Sequence, residues 1–179
     1  MNRGELMTKP AKTLYVIFLC AFGGVCVLTG CAGSAPKPPA AKFSSDFSGS
    51  FNSLGISGRM NVGSGGLMSL RIDEPNTISG LEIIYKDGCV SLSENEAVCT
   101  ADEAYLPSGS LPSMLKAAAG SIAEGRFEMQ RETDETVTYV LDDDFVLVAD
   151  REGRYLSLKS SGKGLELDFQ NFSSTQPQK

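Results

Sequence analysis

Between residues 43 and 172 the apolar positions recur with a period of two. Ile56, Gly58, Met60 and Val62 alternate with polar neighbours, Gly65-Gly66 turns the chain, and Met68, Leu70 and Ile72 alternate again until Pro75 stops the run. A second set starts at Ile78: Leu81, Ile83 and Tyr85 point one way, Asp87-Gly88 makes a turn, and Val90 and Leu92 continue beyond it. The alternation resumes with Phe127 and Met129, then Val137, Tyr139 and Leu141, then Phe145, Leu147 and Ala149, then Leu156 and Leu158, and ends with Leu165, Leu167 and Phe169. Turns are expected at Thr133-Asp134, Asp142 to Asp144, Glu152-Gly153 and Ser161 to Gly164. Short strands at this spacing, without helices between them, predict an antiparallel meander.

One segment breaks the period. Ser110 can cap a helix, Pro112 suits its first turn, and Leu111, Met114, Leu115, Ala118, Ala119 and Ile122 recur at three and four until Gly125 stops it. Its outer face carries only Lys116 and Glu124 as charges, and its alanines with Gly120 let another surface come close. Such a helix either plugs the open side of a curved sheet or covers an apolar cavity as a lid.

The N-terminus reads differently from the rest. Arg3, Lys9 and Lys12 precede an apolar run from Leu14 to Leu28, too short and too glycine-rich for a comfortable membrane span and better suited to an export signal. The run ends in LTGC, Leu28 to Cys31, which resembles the lipobox of bacterial lipoproteins. That resemblance implies that residues 1–30 are a signal peptide and that Cys31 is lipidated on its sulfur, anchoring the protein to the extracytoplasmic face of the cell membrane, or to the outer membrane in a Gram-negative cell. Two acyl chains suffice for stable anchoring, each buried methylene contributing about 0.8 kcal/mol. Loss of residues 1–30 leaves 13 Lys and Arg against 21 Asp and Glu, a net charge of −8 compared with −6 for the whole chain. An acidic body of this kind is repelled by nucleic acid, so no nucleic-acid partner is expected.

Residues 31–42, with AGSAPKPPAAK after the cysteine, read as a Pro-rich tether that would hold the domain roughly 30 Å above the membrane if extended. The domain itself is expected over 43–172, and 173–179 as a disordered tail.

Candidate chemistry is sparse. The chain has no histidine, which removes His-based triads and His-ligated metals, and no tryptophan to stack on sugar. Asp142-Asp143-Asp144 lacks the alternating ligands and glycine of a calcium loop and reads as a solvated turn. No enzyme, metal or cofactor is expected. Cys89 and Cys99 lie on two presumed strands joined by Ser93-Glu94-Asn95-Glu96; outside the cytoplasm a disulfide between them is the first expectation, two free thiols the second. It would suit a three-residue turn, whereas a four-residue turn would set Cys89 opposite Thr100 and need a bulge to bring the sulfurs together.

An opening meander, DEPNTISGLEIIYKDG (Asp73 to Gly88), a helix after Leu106-Pro107 and a closing meander ending in LELDFQNF (Leu165 to Phe172) resemble the lipoprotein-carrier superfamily. Its members include the lipoprotein localisation factors of the periplasm and outer membrane and lipid-carrying mycobacterial lipoproteins. The resemblance implies an α+β fold: a curved antiparallel half-barrel of about ten strands, with a helix on its concave side and acyl chains held between the two. A lipid, or the acyl chains of another lipoprotein, would then be the ligand. Met60, Met68 and Leu70 on the sheet would face Leu111, Met114, Leu115 and Ile122 on the helix across one apolar space. The competing expectation is a closed, ligand-free module that displays a surface to an envelope protein, and a filled core in place of a cavity would favour it.

Overall fold

The computed structural model describes residues 34–174. Eleven strands run β1 (Phe43–Phe51), β2 (Leu54–Val62), β3 (Met68–Glu74), β4 (Glu82–Lys86), β5 (Cys89–Glu94), β6 (Ala97–Asp102), β7 (Phe127–Glu132), β8 (Thr136–Leu141), β9 (Val146–Asp150), β10 (Tyr155–Ser160) and β11 (Leu165–Ser174). One helix, α1 (Leu111–Ala123), interrupts them between β6 and β7. All strands pair antiparallel in one open sheet, in the order β6-β5-β4-β3-β2-β1-β11-β10-β9-β8-β7. The fold is thus α+β, a curved sheet with the helix against its inner face, as the period of two and the single helical segment predict.

The alternation works because each strand turns its apolar residues to one face. Ile72, Leu70 and Met68 of β3, Tyr139 and Val137 of β8, and Leu165 and Leu167 of β11 are buried, while their neighbours face water. Onto this face α1 lays Leu111, Met114, Leu115, Ala118 and Ile122. Ser110 sits at the N-cap, but its hydroxyl bonds the Ser113 hydroxyl at 2.9 Å and not a backbone N–H. Gly125, at φ +70°, ends the helix in the left-handed conformation that glycine adopts without penalty.

The central strand escapes the sequence pattern. β1, FSSDFSGSF, pairs with both β2 and β11, yet one of its buried positions is Ser45, and its alternation ends at the exposed Gly49. Ser45 is buried because its Oγ donates to the Gln170 carbonyl at 2.7 Å beside a bulge, and Gly58 of β2 leaves room for the Phe47 ring. Ile78 likewise lies in a 3₁₀ turn, Asn76–Ile78, and not at the start of a strand.

The structure adds to three expectations. Contacts of the compact unit reach back to Pro36, ahead of Phe43. Residues 37–42 form a strap on the fold: the Lys37 N–H donates to the Arg151 carbonyl at 2.9 Å, the Ala40 N–H to Gly153 at 3.0 Å, and Pro39 is buried. The Tyr155 hydroxyl donates to the Ala40 carbonyl at 2.7 Å. Second, Ser173 and Ser174, expected in the tail, pair with Ser44 and Phe43 as the end of β11.

The third, a correction, concerns the cysteines. Glu94 pairs with Ala97 across a two-residue turn, which sets Cys89 opposite Asp102 and Cys99 opposite Leu92. The thiols therefore lie three rungs apart on opposite faces of the hairpin, both free and exposed, and no disulfide joins them. Cys31 and the lipobox, together with residues 175–179 of the tail, lie outside the described residues.

Candidate hydrophobic-ligand site

The inner layer is held on one side by β2 and β3, where Met60 lies opposite Leu70 and Val62 opposite Met68. On the other side α1 is anchored at its rims. Lys116 forms an ion pair with Glu103 and lies 5.0 Å from the centre of the Tyr85 ring, whose hydroxyl is 3.4 Å from that of Ser113. Beyond the C-terminus of α1, Arg126 pairs with Asp142, the first residue of the acidic turn Asp142–Asp144.

All seven residues expected to line one apolar space are buried in the same cluster. They are not all brought to one cavity. Met60, Leu115 and Ile122 surround a void of about 10 Å³ with Phe43, Ala118, Tyr155 and Phe169, room for about one water-sized sphere. Met68 lines a different space, and Leu70, Leu111 and Met114 line neither. Among the described residues the layer beneath α1 is filled at this point, leaving only that small void.

The space that is present opens at the C-terminal half of α1. A groove of about 390 Å³ runs between Ala119, Gly120 and Ala123 on the helix and the β2–β3 turn, Gly63 to Leu67, with Val62 and Met68 also lining it. Its far rim is the end of the strap, Ala41 and Lys42. Ala119 belongs both to this groove and to the void under the helix, so the two adjoin. The turn is shaped by Gly65 and Gly66, at φ +67° and +77°, and exposes Leu67 beside the groove. Gly120 contributes open space: a Cβ there would meet nothing within 4 Å. The groove falls near the low end of the roughly 300–1,000 Å³ typical of ligand sites.

The sequence reading missed the turn and strap residues of this groove. Gly65-Gly66 was legible as a turn, and the small residues of α1 as a close-approach surface, but nothing in the pattern joined them to Ala41 and Lys42. A larger surface depression of about 500 Å³, between the Asn52-Ser53 turn and Ser160 to Glu166, is lined mainly by polar groups, including the paired Lys159 and Glu166. It offers an apolar chain little to bury.

At the closed end of the layer, Phe43, Tyr155, Phe169 and Phe172 form an aromatic cluster, with Phe43 stacked on Phe172 at 5.0 Å and tilted against Tyr155 at 4.5 Å. Burial pushes the Tyr155 phenol far above its ordinary range, so it stays a neutral donor to Ala40.

No family model matches the chain, and no curated protein is similar to it. Among solved structures the chain is similar to a LolA superfamily protein from Nitrosomonas europaea, at 12% identity and a TM-score of 0.38, over 80% of this chain and 90% of that one. At that distance the likeness carries no inference about ligand, which rests on the side chains of this chain alone.

Proposed function

We propose that the protein is a lipid-anchored, extracytoplasmic carrier that takes a hydrophobic chain into the groove between α1 and the β2–β3 turn. The observation that carries this reading is an open, largely apolar groove adjoining the methionine-containing layer beneath the helix. Burying about ten methylenes there would gain about 8 kcal/mol before the costs of association. The methionines Met60 and Met68 are flexible enough to repack around a chain that reaches further in. Anchoring rests on the resemblance of Leu28 to Cys31 to a lipobox, and Cys31→Ala would leave the protein unlipidated, as mass spectrometry of native membranes would read.

The filled layer favours a second reading, a closed module that presents a surface to an envelope protein. Titration with an environment-sensitive single-chain fluorophore separates the two. The carrier reading expects saturable binding that Ala123→Glu abolishes; because Ala123 is exposed and helical, that substitution leaves the fold intact. A wild type that binds no probe favours the module.

A further inference from the structure

We propose that the groove selects a free fatty acid, a single chain with a carboxylate head held by Lys42. The inference rests on the carrier reading and adds the chemical class of its ligand. Three charged residues line the groove: Lys42, Lys116 and Glu124. Lys116 pairs with Glu103, and Glu124, at 2.8 Å from Arg126, shares that arginine with Asp142. Among the described residues Lys42 alone of the three makes no ion pair, which leaves its ammonium available at the rim of an apolar groove in a chain of net charge −6.

Its position is built and not incidental. On one side the strap fixes Ala40 through its N–H to Gly153 and its carbonyl to the Tyr155 hydroxyl; on the other, Phe43 begins the central strand. One cation beside a groove of about 390 Å³ suits one chain with one negative charge. A glycerophosphate head has more oxygens to satisfy, and besides Lys42 and Lys116 the only side-chain donor lining the groove is Ser64. A lysine ammonium attracts a carboxylate as a point charge and needs no forked geometry.

The test uses membranes of cells that express the full chain. Palmitic acid bearing a photoreactive diazirine in its chain is compared with the matching alcohol and with lysophosphatidylglycerol carrying the same chain, and the label is mapped to residues 62–68 and 116–123. The acid is expected to label roughly threefold more than the alcohol, the size of one solvent-screened charge contact. Lys42→Gln should bring the acid down to the level of the alcohol and leave the alcohol unchanged, and Lys42→Glu should take it lower. Equal labelling by acid and alcohol in the wild type, or a preference that survives Lys42→Gln, overturns the assignment to Lys42 while leaving the carrier reading in place. Lysophosphatidylglycerol labelling as strongly as the acid overturns the fatty-acid class. Failure of all three probes to label the wild type overturns the carrier reading itself.

Discussion

Gly58 shows how much a single absent methyl can decide. A Cβ there would stand 2.1 Å from the Arg71 carbonyl oxygen and 3.0 Å from Cζ of Phe47, two groups that cannot both move, since one belongs to the neighbouring strand and the other to the core. Gly58→Ala is expected to destabilise the protein by about 1–3 kcal/mol, read as a lowered Tm by circular dichroism. On the outer face, the Arg59 guanidinium bonds Asp46 at 2.6 Å, and Asn171 adds a second donor at 2.8 Å. The arginine first, then the asparagine, holds the Asp46 carboxyl below its ordinary 3.8. A carboxylate with a lowered folded pKa stabilises at pH values above its unfolded pKa, and that contribution fades as pH falls through the folded one. Asp46→Asn should therefore lower the Tm only slightly at neutral pH, because the pair is solvent-screened, with the gap to wild type closing as pH falls below 3.8.

At the scale of elements, the hairpin β5–β6 and the strap separate what patterning can and cannot reveal. The alternation of Val90 and Leu92 identified β5, but register depends on turn length, and a turn of two residues at Asn95-Glu96 puts the two thiols on opposite faces. Cys89 and Cys99 should each react with a maleimide in the folded, unreduced protein; protection of both, relieved only by reductant, would contradict this register. The strap was illegible for another reason. Prolines and alanines have no period, and the docking of Lys37 and Ala40 depends on Gly153, at φ +80°, whose missing Cβ leaves room for the Pro38 carbonyl oxygen 2.2 Å away. Gly153→Ala is expected to release the strap, read as faster hydrogen exchange at the Ala40 amide with β2–β3 protection unchanged. Unaltered exchange at Ala40 would show that the strap is held by other contacts. β1 stayed hidden because its buried Ser45 is satisfied by a strand more than a hundred residues away. The helix and the outer strands were legible because their inward positions are apolar and locally spaced.

Across the described residues, an open sheet of eleven strands curls over α1, and its two edges are guarded by charge. β6 is flanked by Glu94, Glu96 and Asp102, and β7 carries Glu128, Arg131 and Glu132, which disfavours edge-to-edge association. The strap has a larger consequence. Only about five residues separate Cys31 from the docked Lys37, so an anchor at Cys31 would reach at most roughly 20 Å to that point, shorter than the roughly 30 Å open to a free, extended tether over 31–42. The strap also ends at the groove, so the apolar opening and the proposed anchor share one short segment of chain. Gly120→Leu tests whether a single hydrophobic chain occupies this groove, as proposed, because the new side chain enters open space there while leucine is a better helix former than glycine by about 0.8 kcal/mol. Native mass spectrometry of the protein released from membranes should find one bound single-chain lipid in the wild type and none in Gly120→Leu, whose Tm stays equal or rises. A lipid-free wild type, or a Gly120→Leu protein that retains the same lipid, would contradict it.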